Sequence, residues 1–203
     1  MSKYSLLAIT LCTALSGAAQ KPLTNELIWK GGTFSAEYVG GLASMNDGLH
    51  YTVLGSKNDM PMLYECEYAT GDTIATLLDG STLKLPGEKE PLPIEGYEFS
   101  GDEKKLMIQT GTEAIYRYSF YAYNYVYDRS TKTLVPLSDP KKAKQRLATF
   151  SPDGQRAAFV RDNNLYTVDL ATMTEVQMTH DGQWNHVING ALDWVYEEEF
   201  GFT

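Results

Sequence analysis

The sequence has no excess of basic residues. Its 203 residues include 17 lysines and arginines against 26 aspartates and glutamates, so the formal net charge is -9 at pH 7. Because no basic stripe is present that could neutralise a phosphate backbone, nucleic acid is excluded as a partner. With 43% hydrophobic residues, the chain can still bury a sizeable core, as one or two ordinary domains do. The acidic surplus favours a cationic partner.

Cysteine is almost absent, which limits disulfide chemistry. The two cysteines are Cys12 and Cys66. Cys12 lies in an N-terminal segment that we expect to be removed, and the mature chain then has no internal disulfide. Cys66 alternates with apolar residues along a predicted strand, between Glu65 and Glu67. Since acidic neighbours disfavour a thiolate, we interpret Cys66 as a small buried hydrophobic residue.

Long apolar runs are missing after the first twenty residues. The opening segment, MSKYSLLAITLCTALSGAAQ, has one lysine, an apolar stretch from Leu6 to Leu15 and small residues that end in two alanines. This layout predicts a secretory signal peptide at residues 1–19, since the apolar stretch is short for a membrane span. An uncleaved membrane anchor is the alternative. We therefore expect residues 20–203 to be secreted or periplasmic, either free or associated with the cell surface.

No recognisable set of catalytic or metal-binding residues is present. A G-x-S-x-G nucleophile elbow and a phosphate-binding glycine loop are both absent. The three histidines, His50, His180 and His186, lack metal-binding spacing, and we interpret them as satisfied or solvated side chains. We therefore predict no cofactor, no metal and no complete catalytic apparatus in these residues.

A sequence frame recurs about every 50 residues. FSGDEKKLMIQT starts at Phe99, FSPDGQRAAFVRD starts 51 residues later at Phe150, and a weaker copy, LASMNDGLHYTVL, starts at Leu42. Each copy places a polar turn before a strand-like run, and each is followed by a second strand that ends in an acidic or glycine turn. Units of this length with several short strands are typical of β-propeller blades.

The repeats predict an all-β fold, an incomplete β-propeller of about three to four blades. No long helical apolar stripe occurs beyond the N-terminal segment, and a closed propeller typically has about four to eight blades. A generic β-sandwich with recurring turns is the alternative. The loops at residues 85–96 and 140–146 are predicted to connect blades, because strand patterns resume in the same frame after each.

Three adjacent glutamates, Glu197, Glu198 and Glu199, occur in the segment INGALDWVYEEEF at residues 188–200. Such charges repel one another unless a cation lies among them, and a solvated acidic face is the ordinary explanation. The segment resembles, however, the signature of the dipeptidyl peptidase IV group in the prolyl oligopeptidase family of serine peptidases. The resemblance implies that Glu198 and Glu199, on a short helical insertion, hold the N-terminal ammonium of a peptide substrate. Glu197 is the less certain neighbour.

A second resemblance lies in IYRYSFYAYNYVYD, residues 115–128. Its frame is similar to the family's strand in which an arginine follows an aromatic residue, precedes a serine by two residues, and reaches the substrate backbone. The resemblance implies that Arg117 contacts the substrate near its N-terminus. A guanidinium near the glutamates also lowers their mutual repulsion. The alternating tyrosines are interpreted as strand packing, at Tyr121, Tyr123, Tyr125 and Tyr127.

The resemblance covers most of the chain and implies the front part of an enzyme. The family's α/β-hydrolase domain, which carries the Ser, Asp and His triad, is not among these residues, so no residue here is predicted to be catalytic. The complete protein is expected to be a homodimeric, secreted serine dipeptidyl peptidase that removes Xaa-Pro dipeptides from peptides with a free N-terminus. A secreted propeller-like module that binds peptides or proteins without cleaving them is the alternative. The reading frame beyond Thr203 separates the two.

Overall fold

The structure, a computed structural model, describes residues 22–36 and 41–202. The chain divides into two compact units, Met1–Val39 and Gly40–Thr203. The described part of the first unit contains one short helix, α1 (Asn25–Trp29). The predicted signal peptide lies outside the described residues. Among the residues that are described, no helix is long and apolar enough to cross a membrane.

The second unit contains three sheets, each with four antiparallel strands in sequence order. We number these sheets blades 1, 2 and 3. Blade 1 comprises β1 (Ala43–Ser44), β2 (His50–Lys57), β3 (Met60–Glu67) and β4 (Thr73–Asp79). Blade 2 comprises β5 (Gly96–Phe99), β6 (Lys105–Ala114), β7 (Phe120–Asp128) and β8 (Thr133–Pro136). Blade 3 comprises β9 (Arg146–Phe150), β10 (Arg156–Arg161), β11 (Asn164–Asp169) and β12 (Thr174–Gln177). The prediction of an incomplete all-β propeller is confirmed.

The recurring sequence frame forms the turn between the first two strands of each blade. In blade 2 the Ser100 hydroxyl donates to the Asp102 carboxylate at 2.8 Å, and in blade 3 Ser151 donates to Asp153 at 2.6 Å. In blade 1 the Asp47 carboxylate accepts two backbone N–H bonds, at 2.8 and 3.0 Å. Since short polar side chains stabilise turns by bonding nearby groups, the frame recurs because each blade needs the same turn.

Cys66 and His50 both lie in blade 1, and each has a structural role there. Cys66 is buried in β3, with 6% of its surface exposed, which confirms its interpretation as a small buried residue. His50 Nδ1 lies 2.5 Å from Asp47 Oδ2. This hydrogen bond lowers the pKa of Asp47 to about 2 and raises the pKa of His50. His50 is thus satisfied within its own hairpin.

Two hydrophobic cores lie between successive blades, and β6 contributes to both. Side chains alternate along a strand, so Leu106 and Ile108 join the core between blades 1 and 2, which also contains Leu63. Met107 points the other way and joins the core between blades 2 and 3, which contains Phe159. The three consecutive β6 residues have no exposed surface. Blade 2 therefore cannot shift without unpacking both cores.

A partly buried ionic network joins the connection after blade 2 to blade 3. Glu175 on β12 accepts hydrogen bonds from Arg161 Nη2 at 2.5 Å and from Lys142 Nζ at 3.0 Å. The Ser138 hydroxyl donates to the same carboxylate. Burial raises the pKa of Glu175, but the hydrogen bonds from these three partners outweigh it and bring the pKa to about 2. Loop 140–146 is therefore a blade connection, as predicted.

Acid is expected to remove the stabilisation that Glu175 provides. Its pKa of about 2 in the folded chain lies below the ordinary 4.5, so the contribution is complete above about pH 4.5 and is lost as the pH falls through about 2. Glu175→Gln should lower the free energy of unfolding at pH 7, because Arg161 loses its charge partner. Urea unfolding at pH 7, 5 and 3 should show this difference shrinking at the lowest pH; an equal difference at all three contradicts the assignment.

Candidate functional site

The turn between β6 and β7 carries Arg117. Hydrogen bonds from the backbone N–H groups of Ile115 and Tyr116 to the Ser119 carbonyl, at 2.9 and 3.3 Å, close this turn. Ser119 is buried, with 3% of its surface exposed, whereas the Arg117 side chain is 66% exposed. The turn therefore presents a buried hydroxyl and an exposed guanidinium two residues apart.

Three of the four alternating tyrosines on β7 pack against the core between blades 1 and 2, namely Tyr123, Tyr125 and Tyr127. Their interpretation as strand packing is confirmed. The fourth, Tyr121, lines a cavity of about 650 Å³ together with Lys144 and Trp184.

The segment before the glutamates is attached to the β10–β11 turn of blade 3. The backbone N–H of Asn189 donates to the Asn163 carbonyl at 3.0 Å, and the Asn189 side chain donates to the same oxygen at 3.2 Å. Gly190 has a φ of 76°, and a Cβ added there would lie 3.0 Å from Val160 Cγ2. Both the backbone conformation and the close approach require glycine. Asn189 and Gly190 thus fix where the glutamate segment leaves blade 3.

The glutamates lie on a five-residue helix, α2 (Trp194–Glu198), with Glu199 as its C-cap. Asp193 is the N-cap, and its Oδ1 accepts the N–H groups of Val195 and Tyr196 at 3.0 and 3.2 Å. A helix this short is far below the ~12–15 residues at which isolated helices are even marginal in water. Its position therefore depends on contacts with the blades. The short helical insertion implied by the resemblance is present.

Glu197 is completely buried. The Ser119 hydroxyl donates to Glu197 Oε2 at 2.7 Å, and the Arg146 guanidinium forms an ion pair with Oε1. Arg146 is the first residue of β9 and is 7% exposed. Burial lowers the pKa of Arg146, while the adjacent carboxylate favours its charged form. Glu197 already has its own cation and is not accessible to a ligand.

Glu198 pairs with Arg117, as the sequence analysis anticipated. The backbone N–H of Arg117 donates to Glu198 Oε1, and Arg117 Nε lies 3.3 Å from Oε2. The Glu198 side chain is 9% exposed. A hydrogen bond with Tyr118 and the charge of Glu198 raise the pKa of Arg117. The structure thus joins two residues that lie 81 positions apart.

Glu199 differs from its two neighbours because it is exposed. In the described part of the chain it takes part in no ion pair, while Glu197 and Glu198 each have an arginine. The three glutamates and their two arginine partners together carry one net negative charge, and Glu95 adds a further carboxylate at the cavity described next. A cavity of about 380 Å³ opens beside Arg117 and is lined also by Glu95 and Tyr118. The arrangement can accept a small cation next to a hydrogen-bond donor.

Arg146 is the residue that the sequence analysis missed. Arg146 ends the predicted connection at residues 140–146, where a lone arginine at the start of a strand carries no local signal of a partner. The structure gives it a buried ion pair with Glu197. Glu197, interpreted only as the less certain neighbour, is the most deeply buried of the three glutamates.

Residues 100–203, just over half of the chain, match the family described as the dipeptidyl peptidase IV (DPP IV) N-terminal region. The chain belongs to this family. The matched part begins just before β6 and extends past α2, so it contains Arg117, Ser119, Arg146 and the three glutamates of the site.

Named relatives agree with this membership. The chain is 33% identical over 197 residues to a probable dipeptidyl-aminopeptidase B from Sclerotinia sclerotiorum, which covers 92% of the chain and 21% of that protein. It is 33% identical over 146 residues to a probable dipeptidyl peptidase 4 from Emericella nidulans, which covers 72% of the chain and 18% of that protein. The crystal structure of Porphyromonas gingivalis dipeptidyl peptidase 4 is 40% identical with a TM-score of 0.73, and the match covers 91% of this chain and 25% of that one. The chain spans a quarter or less of each.

Proposed function

We propose that this chain is the N-terminal propeller segment of a secreted or periplasmic serine dipeptidyl peptidase, and that it anchors the N-terminal ammonium of peptide substrates. The observation that carries the proposal is the contact of Arg117 with Glu198, directly beside the exposed Glu199. A site with one uncompensated carboxylate and one exposed guanidinium suits a ligand that carries an ammonium next to a carbonyl. The N-terminus of a peptide is such a ligand.

Each group has a distinct role in this proposal. Glu199 and the remaining acceptor sites of Glu198 bind the three N–H donors of the ammonium, since an ionised carboxylate offers about four lone-pair sites. Arg117, whose side chain is 66% exposed, donates to the first carbonyl group of the substrate. Charge-assisted hydrogen bonds of this kind are roughly twice as strong as neutral ones.

The anchor determines which peptide bond is cleaved. Because it holds the charged end of the peptide at a fixed distance from a nucleophile, the bond presented for cleavage always lies the same number of residues inward. Such fixed orientation can supply several kcal/mol of the barrier reduction, on the order of 7–11 in the best cases. The acyl transfer itself belongs to a Ser, His and Asp triad and its oxyanion hole, which we assign to residues beyond these 203. The Xaa-Pro preference is part of the same proposal.

The 203-residue chain alone is expected to bind dipeptide amides without hydrolysing them, because groups that orient a substrate supply no reaction path without a nucleophile. In an NMR titration, alanyl-proline amide should shift the backbone resonances of Arg117, Glu198 and Glu199. N-acetyl-alanyl-proline amide is the matched control and should shift them far less. Equal shifts with both amides contradict the anchor. Release of p-nitroaniline from a Gly-Pro substrate above a mock preparation contradicts the assignment of the nucleophile.

A further inference from the structure

Two adjacent glutamates of α2 contact a single turn of blade 2. Glu197 accepts the Ser119 hydroxyl at 2.7 Å, and Glu198 accepts the backbone N–H of Arg117. The turn is closed by its own hydrogen bonds, because its Ser119 carbonyl accepts two backbone N–H groups. Two contacts, from adjacent residues of the helix to turn residues two positions apart, set both the distance and the rotation of the helix relative to the turn.

The third contact comes from another blade. Arg146, which pairs with Glu197, is the first residue of β9 in blade 3, whereas Ser119 directly precedes β7 in blade 2. One buried carboxylate therefore joins the helix to both blades. The position of the helix depends on these contacts, because a helix of five residues is too short to be stable by itself.

A buried ion pair by itself adds little to the stability of a folded protein. The desolvation of two charges offsets much of their attraction, and well-packed apolar residues in their place are often as stable or more so. What a buried pair does provide is a strong penalty for any arrangement that separates the two charges, because each would be left unpaired. At this location that penalty falls on displacements of the helix that carries Glu198 and Glu199.

We infer that Glu197 is a positioning residue for the substrate anchor, and that it acts through Arg146 and Ser119. It touches no ligand, since it has no exposed surface, and it holds Glu198 and Glu199 in register with Arg117. The inference rests on the proposed function. Because a misplacement of about 1 Å can cost roughly 100-fold in rate, loss of the pair should weaken selection for the substrate ammonium even where the fold survives.

The test uses the complete peptidase that carries this chain, with Glu197→Gln as the principal variant. Its readout is the ratio of kcat/KM for alanyl-proline p-nitroanilide to kcat/KM for the propionyl-proline analogue, which lacks only the amino group. We expect Glu197→Gln to lower this ratio at least tenfold, mainly through the alanyl substrate. Hydrogen exchange should also become faster at the backbone amides of residues 195–199.

Glu175→Gln is the matched control, because it removes the same charge from an arginine-paired glutamate that is also mostly buried. Within the described residues the side-chain partners of Glu175 are Ser138, Lys142 and Arg161, none of which belongs to α2. Glu175→Gln should lower the melting temperature but leave both the ratio, within about twofold, and the exchange of residues 195–199 unchanged. Should Glu197→Gln fail to fold, Ser119→Ala removes one hydrogen bond and should lower the ratio several-fold.

The outcomes separate this inference from the proposed function. If the unmodified peptidase cleaves both substrates equally well, the ammonium anchor itself is wrong. If the unmodified peptidase discriminates and Glu197→Gln discriminates equally, or Ser119→Ala does so in its place, Glu197 has only a structural role and the inference is overturned.

Discussion

Replacing Glu198 or Glu199 with alanine should lower kcat/KM of the complete peptidase for a free alanyl-proline substrate by about 30- to 3,000-fold. In the proposed complex the bound peptide covers both carboxylates, and truncating one partner of a buried charge-assisted contact costs about 2–5 kcal/mol. Each 1.4 kcal/mol is about tenfold. The two variants should differ in a second way. Glu198→Ala also removes the ion-pair partner of Arg117 and should lower the stability of the free protein. Because Glu199 is exposed, Glu199→Ala should change that stability little.

Steady-state kinetics on both variants measure the effect, and thermal unfolding measures the difference between them. Glu90→Ala is a suitable control, because Glu90 is also exposed and lies in the connection between blades 1 and 2. It should leave kcat/KM within about twofold. If Glu198→Ala and Glu199→Ala resemble Glu90→Ala, the glutamates form an ordinary solvated face.

Removing the ammonium from the substrate should have the same consequence as removing its carboxylate partners. N-acetyl-alanyl-proline and propionyl-proline p-nitroanilides both lack the positive charge, so the unmodified peptidase should cleave each about 30- to 3,000-fold less efficiently than the free substrate. The Glu198→Ala, Glu199→Ala double variant should scarcely distinguish the three, because the interaction that the charge makes is already gone.

The two blocked substrates separate charge from size. The acetyl group adds bulk where the ammonium would lie, whereas the propionyl group replaces only the amino group by hydrogen. A loss confined to the acetylated substrate would indicate steric exclusion at the cavity beside Arg117 rather than recognition of charge. A comparable loss with both, present in the unmodified protein and absent in the double variant, is the expected pattern.

Much of the fold could be predicted from local patterns. The turns at Ser100, Ser151 and Asp47 are made by side chains that bond groups two to five residues away, so the sequence around each turn contains everything that forms it. Alternation along β3 and β7 likewise follows from the pleat of a strand, and it correctly predicted the buried Cys66 on β3 and the core tyrosines on β7.

Parts of the site were also predictable, but only through resemblance. Arg117 and Glu198 were expected to lie near one another because both belong to family motifs, and the structure joins them across 81 residues. No local signal predicted the partner of Glu197. Arg146 lies 51 residues before it, on a different blade, and nothing around Arg146 distinguishes it from a surface arginine at the start of a strand.

The sequence by itself determined that three carboxylates stand side by side, together with the repeating turns and strands that make the blades. Only the tertiary structure decided that the three side chains have different partners and different exposure. Successive residues of a helix point about 100° apart, so adjacent glutamates meet different neighbours: Glu197 the buried Arg146, Glu198 the Arg117 turn, and Glu199 the solvent. Those neighbours come from distant positions in the chain, and the blades that bring them together are held by packing between sheets that no short stretch of sequence contains.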